Sequence, residues 1–118
     1  MPRTALSNIY NIAGGSSSQV AFTAYAWEAA DVANGNSFPS TGKEVLLVRN
    51  VNADSPLVSR LVTLYNLKAN TTIEKTLGGG EHWTCGQLPT AGWKQASDNL
   101  IYIDGAHADI EFVVLVLP

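Results

Sequence analysis

The closing run Phe112-Val113-Val114-Leu115-Val116-Leu117 limits most strongly what this chain can become. It carries no charge and has high β-propensity. Left as an exposed sheet edge, it would template aggregation. It must therefore sit inside a sheet with both faces covered. One face can pack on a second sheet. The other needs a helix, a loop or another subunit. Val45-Leu46-Leu47-Val48, within a strand expected over 44–51, reads the same way, as a strand buried on both faces.

The rest of the pattern is also β. Val20, Phe22, Ala24 and Ala26 alternate with Ala21, Thr23, Tyr25 and Trp27, a period of two. Further strands are expected over 57–65, 71–77, 81–88 and 99–104. Asn34-Gly35-Asn36, Asn52 to Pro56, Lys68 to Asn70, Gly78 to Gly80 and Asp104-Gly105 are turn signals between them. Phe38-Pro39 and Thr41-Gly42 read as a loop. A short helix around residues 26–33 is compatible with WEAADVA. Seven or eight short strands with regular turns mark a sandwich, jelly roll or barrel. We therefore expect an all-β, single-domain β-sandwich over 19–118, jelly-roll-like, with a flexible N-terminal arm over 1–18. The arm ends in Gly14-Gly15-Ser16-Ser17-Ser18, a coil-like composition. Ahead of that hinge stand Leu6, Ile9, Tyr10 and Ile12, which a merely disordered tail does not need. They either dock on their own domain or contact a neighbour.

Composition narrows the function. The 118 residues suffice for one domain that buries about two-thirds of its unfolded surface. Charged residues make up 14%, against about 25% in ordinary domains. With the two apolar strands, this favours a homo-oligomer or a larger assembly. The net charge of −3 and the lack of any Lys or Arg run argue against nucleic acid. No stretch has the length of a membrane helix, and the N-terminus has no signal-peptide core, so a product of the cytoplasm is expected. The lone Cys85 excludes an intrachain disulfide.

No catalytic constellation is visible. His82 and His107 lie outside metal spacings, and Cys85 has no CxxC partner. His82 and Cys85, three apart on a strand, face opposite ways. Asp104 to Asp109 lacks the acidic density of a calcium loop. Gly78-Gly79-Gly80-Glu81 is no phosphate cradle, and no GxSxG elbow exists. Glu28 with Asp31, and Asp109 with Glu111, read as solvated pairs. We expect no enzyme, no cofactor and no metal. Tryptophans at 27, 83 and 93 raise one alternative, a carbohydrate-binding sandwich that stacks sugars on Trp83 or Trp93.

Two segments carry a family resemblance. Asp31-Val32-Ala33-Asn34-Gly35-Asn36-Ser37-Phe38-Pro39-Ser40-Thr41-Gly42-Lys43-Glu44, continuing to Asn50, resembles a segment of small tailed-bacteriophage structural proteins. Gly86-Gln87-Leu88-Pro89, then Asn99 to Asp104 and a final Val-Leu strand, is similar as well. The likeness covers roughly residues 20–118 and departs from the pattern between Asn66 and Trp93. It implies a head decoration, or cement, protein: a virion component that trimerises on the capsid exterior. Its partners would be the major capsid protein and itself. Leu6, Ile9, Tyr10 and Ile12 would then be candidate capsid or subunit contacts.

Overall fold

The computed structural model describes residues 3–11, 25–66, 71–88, 95 and 99–117. Their strands are β1 (Thr4–Ala5), β2 (Ile9–Asn11), β3 (Glu28–Ala29), β4 (Asn36–Pro39), β5 (Glu44–Asn50), β6 (Arg60–Asn66), β7 (Thr71–Leu77), β8 (His82–Leu88), β9 (Leu100–Gly105) and β10 (Ile110–Val116). No helix occurs among the described residues, so none is long and apolar enough to cross a membrane.

The strands make two sheets. Sheet A has the order β1-β4-β9-β6-β7. Sheet B has the order β2-β10-β5-β8, and β3 also pairs with β10. The eight strands β3 to β10 form nested antiparallel pairs: β3 with β10, β4 with β9, β5 with β8, β6 with β7. Rolling this long hairpin adds β10 beside β5 and β9 beside β6. The result is a β-sandwich with jelly-roll strand order. It closes one core between two sheets, as the two uncharged runs require.

The core follows the period of two. Leu46, Val48, Phe112 and Val114 face inward from sheet B. Phe38, Val62, Leu64, Ile101 and Ile103 meet them from sheet A, all with 0% exposure. The opposite face of β10 is covered too. Val113 is 1% exposed and its cross-strand neighbour Leu47 is 6% exposed, within a single chain. At these two positions the demand for a covering partner is met without another subunit. Val45 and Leu115 beside them stay half-buried.

Polar groups close the ends. Glu44, buried, accepts backbone N–H bonds from Thr41 at 2.8 Å and Gly42 at 3.2 Å. Asn50, also buried, donates to the carbonyls of Val58 and Leu77 at 3.0 and 2.9 Å and accepts from Asn52 N at 2.9 Å. Buried amides survive only with such partners.

Three local expectations change. The loop at Phe38-Pro39 is strand β4, whose Asn36 and Ser37 are buried beside Phe38. The Asn36 side chain accepts from Asp31 N at 2.8 Å and donates to the Thr4 carbonyl at 3.3 Å, so a polar residue can occupy the sheet. Residues 26–33 contain the short strand β3 and no helix. Residues 3–11, expected within the arm, are paired into both sheets: β1 lies parallel to β4 and β2 parallel to β10. Residues 12–18 and the alternating stretch 20–24 lie outside the described residues.

Candidate functional site

An open cavity of about 360 Å³ lies on the outer face of sheet A. Arg3, Val32, Asn34, Leu61, Thr63 and Asp104 are among the residues that line it. Strand alternation places them. On β9, Ile101, Ile103 and Gly105 are buried, so Tyr102 and Asp104 take the outward positions. On β6, Val62 and Leu64 are buried, so Leu61, Thr63 and Tyr65 point out. The register sets Thr63 directly beside Asp104.

Arg3 binds this face from the N-terminal segment. Its Nη1 donates to Asp104 Oδ1 at 2.6 Å, and to the carbonyls of Asn36 and Ile103 at 3.2 and 3.4 Å. Its guanidinium lies 4.3 Å from the Tyr102 ring centroid and 5.1 Å from that of Tyr65. The Tyr65 hydroxyl donates to the other Asp104 oxygen. That bond, with burial, pushes the Tyr65 phenol above its ordinary 10.0.

The 31–35 turn forms one wall. The Asp31 carboxylate accepts from Thr4 Oγ1, from Asn34 N at 3.1 Å and from Asn34 Nδ2 at 3.2 Å. The Thr4 bond, then those of Asn34, hold its pKa below the ordinary 3.8. Gly35 has φ +75°, and a Cβ there would collide with Arg3 Nη1 and Asp104 Oδ1. The turn can close over the ion pair only with glycine at this position.

A second polar cluster ties β10 to the 52–60 segment. Asp109 Oδ2 accepts from Asn52 Nδ2 and Arg60 Nη2, each at 3.1 Å, and the Asp109 N–H donates to His107 Nδ1 at 3.0 Å. The Asn52 bond leads in holding the Asp109 carboxyl below 3.8. Across sheet B, Arg49 Nε donates to Glu111 at 2.8 Å while its guanidinium stacks 4.3 Å from Trp27. Among the described residues, no three His, Cys, Asp or Glu side chains are placed to hold a metal ion.

The sequence-derived site residues fall elsewhere. Leu6 is 4% exposed in this chain's own core, and Ile9 packs against that core. The Tyr10 hydroxyl accepts from Ala26 N at 2.8 Å, and its ring lies 4.9 Å from that of Tyr25. These three therefore make contacts within their own domain. Trp83 and Cys85 share the inward face of β8 and pack half-buried against the core. His82 points the other way and is exposed, as the spacing requires. Burial pushes the Cys85 thiol up, which disfavours the reactive thiolate. Ile12 and Trp93 lie outside the described residues. Sequence reasoning missed Tyr65, Tyr102 and Asp104, although their alternation with Val62, Leu64, Ile101 and Ile103 marks them as outward-facing. Nothing local in the sequence signals Arg3.

No family model, curated protein or solved structure matches the chain.

Proposed function

We propose that this protein is a structural component of a tailed-phage virion, a decoration protein that binds the outside of the head as a homotrimer and stabilises it. The observation that carries this reading is the eight-strand jelly-roll order, an architecture common among viral capsid domains. The phage-like segment supports it, because its distinctive residues hold this fold together. Asp31 and Gly35 shape the turn, Asn36 and Phe38 fill β4, Thr41 and Gly42 bind Glu44, and Asn50 anchors two neighbouring segments.

On a capsid, each copy would cover a small repeated footprint. Symmetry then supplies avidity from modest individual contacts, and a threefold ring closes without an unmatched interface. Stabilisation comes from surface buried across the joints between capsid subunits. The carbohydrate-binding alternative gains nothing from Trp83, whose indole packs against the core.

Light scattering on a sizing column, followed by co-sedimentation with shells of the major capsid protein from the same genome, tests the proposal. A mass three times the 12.6 kDa of the chain, with saturable pelleting, is the expected result. A monomer that stays in the supernatant would overturn it.

A further inference from the structure

We infer that the cavity on the outer face of sheet A binds a neutral saccharide, at a site distinct from the tryptophans. Four features converge there. First, the lining charges cancel: Arg3 and Asp104, paired at 2.6 Å, are the two charged residues on the wall. The site therefore favours an uncharged ligand. Second, hydrogen-bonding capacity is left over. Arg3 spends Nη1 on Asp104 and two carbonyls and also bonds the Tyr65 side chain, which leaves only part of its five N–H donors over. The Thr63 hydroxyl has no hydrogen-bond partner among the described residues, and the Asp104 carboxylate accepts one bond on each oxygen, so each keeps a further lone pair.

Third, aliphatic surface stands beside these polar groups. Val32 is 56% exposed and Leu61 is 37% exposed, both on the cavity wall. A pyranose presents this same combination: adjacent hydroxyls that both donate and accept, and a face of C–H groups. Fourth, the site is held in place. Arg3 is fixed by the Asp104 pair and the Tyr102 ring, and the 31–35 turn by the bonds of Asp31. The volume is at the low end of the roughly 300–1,000 Å³ of ligand pockets, with room for about one or two sugar rings. The inference stands apart from the virion proposal, because a sugar site on this face needs neither a trimer nor a capsid.

The test uses the full ¹⁵N-labelled chain. It is titrated at millimolar concentration with the methyl glycosides of glucose, galactose, mannose and N-acetylglucosamine. At least one sugar should shift the amides of Asn34, Gly35, Thr63, Gly105 and Ala106 saturably, with Kd on the order of 1 mM. Ala106→Trp, at an exposed position on the rim, should abolish those shifts. Thr63→Val should weaken binding about fivefold, the worth of one net hydrogen bond. Should Ala106→Trp fail to fold, Leu61→Arg blocks the same wall from a strand position that is already exposed. Shifts that persist in a folded blocking variant would overturn the inference. So would the absence of any response to the four sugars. If these amides respond to shells of the major capsid protein and to no sugar, the face is a protein contact and the saccharide site is wrong.

Discussion

At Asn50 a single side-chain amide meets Asn52 and Val58 on one segment and Leu77 on another. Asn50→Ala would leave the buried Leu77 carbonyl and the part-buried Val58 carbonyl without this donor, and the buried Asn52 N–H without this acceptor. We expect a loss of roughly 2–3 kcal/mol in urea unfolding, since each unmet group costs about 1 kcal/mol or more. A loss below about 0.5 kcal/mol would mean that water replaces the amide. Asp31 acts through charge instead. With its carboxyl held below 3.8, the folded protein keeps it ionised where the unfolded chain has already taken up a proton. Its contribution is therefore complete above about pH 5 and fades as pH falls through the lowered value. Thr4→Val removes the largest cause of that lowering. The deficit of this variant should be flat near neutral pH and close once pH falls below the lowered value. Melts across that range read it out, and a deficit unchanged at the acid end would assign the loss to packing.

Most elements were legible in the sequence because six of the long strands obey simple rules. β5 and β10 announce themselves by uncharged runs, and β6, β7, β8 and β9 by β-branched or alternating residues between turn signals. β4 was not legible. Its one apolar residue is Phe38, and its Asn36 is tolerated because two backbone groups bind it, one in the adjoining turn and one on the distant Thr4. The candidate site was half legible for the same reason. Alternation marks Tyr65, Tyr102 and Asp104, but Arg3 reaches them only because Leu6 pins the N-terminal segment to the core. Leu6→Ala should therefore destabilise the isolated protein by about 3 kcal/mol in guanidinium unfolding. An unchanged midpoint would show that residues 3–11 are not part of the folding unit. The outer strands differ in protection. β1 and β2 are short, and β7 carries Glu74 and Lys75 at its middle. β8 is seven residues long without a charge, although a register shift interrupts its pairing with β5. An unprotected edge invites pairing with other chains. Thr84→Lys, exposed on β8, should raise the concentration at which light scattering detects aggregates, while the melting temperature stays within error. If the onset does not move, β8 is not the contact that limits solubility.

Across the whole molecule, the nesting of strands means that neighbours in space come from opposite ends of the chain. β3 must find β10 and β4 must find β9, while among the described residues only β6 and β7 pair as close neighbours in sequence. Pairing of this kind makes a fold slow to form, because long loops must close before their contacts are gained. A nucleus at the β6–β7 hairpin that recruits outer pairs in turn fits this topology. The parallel pairing of Ile9 with Val114 carries the idea to its limit. Residues 9–11 have no sheet partner until 114–116 are in place, although residues 4–5 already lie on β4. Without residues 110–116 there is no strand on which β2 can lie, and Ile9 loses its cross-strand neighbour Val114. Damage to β10 thus reaches across about a hundred residues of sequence and unseats β2 as well.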